Sequence, residues 1–96
     1  MITAKEAKVT TMIIRAQQKE EKINKVIAWC ESREKDILNS VQEGTWCIHT
    51  TLPYGYANHL LNYEECCQII KEYFESYDYE VKYDSVRDKF TISWYV

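Results

Sequence analysis

The sequence predicts an α+β fold: a long N-terminal helix, then a β-α-β-β tail carrying a three-stranded, mainly antiparallel sheet. Two observations predict it. Residues Ile2 to Glu43 contain no Gly and no Pro, and their apolar side chains recur every seven residues at Ile2, Val9, Ala16, Ile23, Cys30 and Ile37, the period of a helix with one buried stripe. After Gly44, three short runs alternate apolar with polar residues, the period of half-buried strands.

The helix has a start signal in Thr3, an N-cap type of residue, with Glu6 three positions on to close a capping box. Its stripe runs Val9, Met12, Ile13, Ala16, then Ile23, Val26, Ile27, Cys30, then Ile37, Leu38, Val41. In heptad terms these are the first, fourth and fifth positions. Lys19 and Arg33 interrupt the fourth, so a strict two-stranded coiled coil is a poor fit and a wider stripe packing on several neighbours a better one. The charged run Gln17–Lys22 (QQKEEK) is the weakest place, where a break into two helices is open, and Gly44 supplies the C-terminal stop.

The tail begins with Thr45–Leu52, which puts Trp46, Ile48, Thr50 and Leu52 on one face and Thr45, Cys47, His49 and Thr51 on the other. Pro53 ends it. A second helix starts near Asn62, boxed by Glu65, with a stripe of Cys66, Ile69, Ile70, Tyr73, Phe74 and Tyr77, and it stops around Tyr77–Asp78. Tyr79, Val81 and Tyr83, then Phe90, Ile92, Trp94 and Val96, alternate about the polar turn Asp84–Asp88, which reads as an antiparallel hairpin. The expected division is a helical assembly segment over 1–44 and a small αβ tail over 45–96, together one domain. Three strands and one helix bury little by themselves, so the long helix, or a partner's copy of it, is expected to cover the second sheet face.

Composition narrows the function. Net charge is -3; residues 1–43 hold 8 Lys+Arg against 7 Asp+Glu, and residues 44–96 hold 4 against 8. Neither half has a basic patch able to track nucleic acid. No apolar run is long enough to cross a membrane. The four Cys are scattered and read as buried free thiols, with no metal and no cofactor expected; Cys47 and His49 share a strand face but make only a two-ligand start. With two glycines in the chain a Gly-rich phosphate loop is excluded. No nucleophile–base arrangement stands out, so an enzyme is not expected.

The richest segment for binding is His49 to Asn62. Tyr54, Tyr56 and His59 offer planar stacking groups, and Thr50, Thr51, Asn58 and Asn62 offer short hydrogen-bonding groups around Gly55, leading into a helix start. Such a mixture suits a nucleobase or sugar-phosphate. The candidate ligand residues are therefore His49, Thr51, Tyr54, Tyr56, Asn58, His59 and Asn62.

The opening Met1-Ile2-Thr3-Ala4-Lys5-Glu6-Ala7 and the closing Tyr73-Phe74-Glu75, Tyr79-Glu80-Val81 and Phe90-Thr91-Ile92-Ser93-Trp94 resemble small uncharacterised bacteriophage proteins that pair a long N-terminal helix with an αβ tail ending in a "TISW"-like strand. Where those proteins commonly have a Gly, before the second strand, this chain has Ser76-Tyr77-Asp78. The resemblance implies a phage-type protein working in the host cytoplasm or in the virion. The expected function is an oligomeric binding protein that sequesters a host defence nucleotide or inhibits a host factor; the alternative is a virion structural or assembly component.

Overall fold

A computed structural model describes residues 1–95; Val96, which the alternation places at the end of the last strand, lies outside the described residues. The elements are α1 (Ala4–Ser32), α2 (Glu34–Glu43), β1 (Cys47–Thr50), α3 (Tyr63–Glu75), β2 (Glu80–Asp84) and β3 (Lys89–Ser93). The described chain measures 64 × 25 × 20 Å. Of the long dimension α1 alone supplies some 43 Å, at about 1.5 Å per residue.

The first helix is continuous through Gln17–Lys22 and is interrupted instead at Arg33. The Ser32 hydroxyl donates to the Trp29 carbonyl at 2.6 Å, the acceptor that a regular helix would offer to the Arg33 N–H. That N–H donates to Cys30 O at 3.0 Å instead. Back-bonding of this kind disturbs the helical ladder locally, and α2 resumes at Glu34 with Ile37 turned into the core.

The sheet order is β1-β3-β2, antiparallel throughout. Register fixes its two faces. Ile48 and Val81 both pair with Ile92, and Thr50 and Tyr83 both pair with Phe90, so these side chains share the core face. Cys47, His49, Glu80, Lys82, Thr91 and Ser93 share the other. All three helices send residues into one cluster with Ile48, Phe90 and Ile92: Val26, Trp29 and Cys30 from α1, Ile37 from α2, and Cys66, Ile70 and Phe74 from α3. The helices therefore lie together on one side. The expectation that α1 covers the second face is corrected: that face is polar and stays uncovered. The first strand is also shorter than Thr45–Leu52, and Trp46 stays mostly exposed against the Tyr95 ring, 5.1 Å away.

Both later helix ends close with a left-handed residue in the same hydrogen-bond pattern. After α2, Gly44 (φ 82) is flanked by Gly44 N–H to Val41 O and Thr45 N–H to Ser40 O. After α3 the left-handed residue is Asp78 (φ 69), with Asp78 N–H to Glu75 O and Tyr79 N–H to Phe74 O. Tyr79 then packs edge-on against Phe74 at 6.0 Å. Among the described residues no helix is long and apolar enough to cross a membrane.

Candidate binding sites

The segment between β1 and α3 is pinned at both ends by apolar side chains: Leu52 and Leu61 are buried, while Thr51, Tyr54, Gly55 and His59 are exposed. Gly55 takes a left-handed φ of 98 that a side chain would oppose. A hollow of about 560 Å3 opens here, with Thr51, Pro53, Tyr54 and Gly55 on the loop side and Tyr63 and Asp88 facing them.

Thr51 and Tyr54 are the expected residues that line this hollow. The others are engaged elsewhere. The Tyr56 ring is half-buried and carries the Lys25 ammonium 5.0 Å from its centre. Asn58 Oδ1 accepts the N–H groups of Leu60 and Leu61 at 2.9 and 3.0 Å, so it holds the loop. Asn62 caps α3: its Oδ1 accepts Glu65 N–H at 2.8 Å, and Glu65 Oε1 accepts Asn62 N–H at 3.4 Å. His59 is exposed. His49 sits on the open sheet face, with Nδ1 3.0 Å from Thr91 Oγ1 and Nε2 3.9 Å from Cys47 Sγ.

Sequence reasoning missed Tyr63 and Asp88. The Asp88 carboxylate accepts hydrogen bonds from the hydroxyls of Tyr63 and, at 2.8 Å, Tyr83. The Tyr63 hydroxyl first and the Tyr83 hydroxyl second hold the Asp88 carboxyl below the usual carboxylate range. Burial, then the bond to Asp88, pushes the Tyr63 hydroxyl well above the tyrosine range. The hollow thus faces a fixed negative charge. The adjoining start of α3 is no better for an anion: its first-turn acids are Glu64 and Glu65, its cap is closed, and Lys19 is paired to Glu65 at 3.0 Å. The Asp88 charge disfavours a phosphate here relative to a neutral or cationic group.

Three of the four thiols are shielded. Burial pushes Cys30 up to about 12 and Cys67 up to about 11, and raises Cys66 as well, which keeps all three protonated and poorly nucleophilic. Among the described residues no three His, Cys, Asp or Glu side chains cluster as a metal site requires.

The second feature is the first half of α1. The stripe that enters the core at Ile23, Val26 and Cys30 continues toward the N-terminus with no cover: Ile2, Val9, Met12 and Ile13 are 66, 50, 61 and 54% exposed. The Lys19–Glu65 pair marks where α3 begins to cover it. A helix of about 18 residues standing free in water is marginal without packing. No family model, no curated protein and no solved structure matches this chain.

Proposed function

We propose that the protein is a non-enzymatic binding protein that assembles with copies of itself through the first half of α1. The observation that carries this is the bare stripe of Ile2, Val9, Met12 and Ile13, continuous with the row that forms the core further along the same helix. A second copy presents the same stripe, which makes the surface self-complementary. Residues 1–22 hold 5 Lys+Arg against 3 Asp+Glu, so copies repel one another little. Burying what remains exposed on four side chains is worth about 1 kcal/mol each, or about 8 kcal/mol for a pair of helices. That is of the order of the cost of association itself. A pair would therefore be weak, and a bundle in which each stripe meets two neighbours is favoured.

The role suggested by the phage-like sequence is that of a factor in the host cytoplasm acting against a host defence component. The negative hollow at Asp88 favours a protein target over a phosphate-bearing signal in that role. A nucleotide-sequestering role would need cations from a neighbouring copy, Arg15 of an assembled helix being one candidate. The shielded thiols support a binding role over nucleophilic catalysis. Light scattering on the wild type and on Met12→Glu tests the assembly step: a mass above one copy that Met12→Glu reduces to one copy supports it, and an unchanged mass in the variant removes the stripe from the interface.

A further inference from the structure

A separate cavity of about 290 Å3 lies where the α1–α2 junction meets the C-terminal end of α3. Its base is apolar, formed by buried Cys30, Ile37 and Phe74. Tyr73, Tyr77 and Tyr79 complete the lining. These rings stand at steep angles to their neighbours: Tyr73 to Phe74 at 86° and 5.1 Å, Tyr73 to Tyr77 at 55° and 5.4 Å, Phe74 to Tyr79 at 87° and 6.0 Å. Trp94 backs Tyr79 at 90° and 6.2 Å. Glu34 is the one charged residue in the lining.

We propose that this cavity is an aromatic cage for an alkylated ammonium group. Electron-rich ring faces attract a cation that is itself poorly hydrated, and a methylated ammonium, unlike a bare one, gives up little hydration on entry. The surrounding charge has the matching sign. Among the described residues Glu34 and Glu31 have no ion-pair partner. The last turn of α3 lacks a basic residue, so the negative end of its dipole is left uncompensated by its own side chains. Arg33, whose charge reaches Cys30, is the opposing group; its guanidinium lies 5.1 Å from the centre of the Trp29 ring and pairs with Asp36 at 3.2 Å. Burial first, and then its neighbours Tyr77, Glu31, Cys30 and Glu34, raise the Tyr73 hydroxyl, so Tyr73 carries no phenolate near neutral pH. The cage does not depend on assembly through α1.

The test is a titration of the full chain, followed by NMR shifts of the Cys30, Ile37 and Phe74 amides. The probes are tetramethylammonium, choline, and the dimethylbutanol that replaces the choline nitrogen with carbon. Choline is expected to bind in the millimolar range, and the uncharged isostere about five- to thirtyfold more weakly, the margin a cation over ring faces provides. A peptide bearing trimethyl-lysine separates the two sources of such a group: tighter binding than choline assigns the cage to a modified protein chain, weaker binding to a free small cation. Tyr77→Ala, at a 62% exposed position, is expected to weaken choline several-fold, and Glu34→Gln to weaken choline but not the isostere. Equal binding of the isostere, or no shift with any probe, overturns the proposal.

Discussion

Val26 and Val9 lie on one helix and differ in cover, which makes them a matched pair for substitution by Ala. Val26 is 0% exposed and packs in the central cluster. Losing two buried carbons costs about 1.6 kcal/mol in transfer free energy, and the space left behind raises this toward 3 kcal/mol at ~24 cal/mol per Å3. The better helix propensity of Ala returns about 0.5 kcal/mol. Val26→Ala is therefore expected to lose about 2 kcal/mol, or about 10 °C in Tm for a chain of this size. In a single copy, Val9→Ala at a half-exposed position is expected to change stability by a few tenths of a kcal/mol at most. Where copies have assembled, the same change is expected to cost about 1 kcal/mol per copy. Urea melts followed by far-UV circular dichroism, run dilute and concentrated, read all of this. A Val26→Ala loss below about 0.5 kcal/mol would refute the described core. A large Val9→Ala loss that is independent of concentration would refute a bare N-terminal rod.

Asp78 holds a left-handed φ of 69 at the end of α3, so Asp78→Gly is expected to stabilise the fold by about 0.5–1 kcal/mol in the same melts; a loss would mean that the Asp side chain has a role of its own there. Glu65 and Asp88 are both held below their ordinary values of 4.5 and 3.8, Glu65 by Lys19 first and the Asn62 N–H second. Groups with depressed values stabilise the fold above their ordinary range, and that contribution is lost as pH falls through about 4.5 and below. Melts of the Glu65→Gln, Asp88→Asn double variant should show a flatter acid limb than wild type, and an unchanged limb would contradict the two assignments. Maleimide should label half-buried Cys47 first, and Cys30 and Cys66 only on unfolding; labelling of Cys66 in the folded chain at the Cys47 rate would contradict its burial.

The elements were legible because each carries a local signal. Thr3 and Asn62 cap the helices that the sequence assigns to them, Gly44 ends α2, and the Phe90–Ile92 alternation sets the core face of β3. The interruption at Arg33 was not legible, because it rests on one Ser hydroxyl competing for the Trp29 carbonyl and involves neither Gly nor Pro. The binding segment was legible only in part. Asn58 and Asn62 have the composition of ligand contacts, but their side-chain oxygens accept backbone N–H groups. Asp88 lies 25 residues from Tyr63 and meets it only through the hairpin, a contact that no local pattern announces. The Tyr73–Tyr79 cage was hidden differently: Tyr73 and Tyr77 belong to a helical stripe that reads as core, yet they line an open cavity with Glu34 and Ile37.

Assembly through α1 is tested most directly by sedimentation equilibrium of the wild-type chain from low micromolar to near-millimolar concentration, beside Met12→Glu. The wild-type mass is expected to rise with concentration to three or more copies, and Met12→Glu to remain a single copy with an unchanged melting curve. A wild-type chain that stays a single copy across the whole range would contradict self-association through the bare stripe.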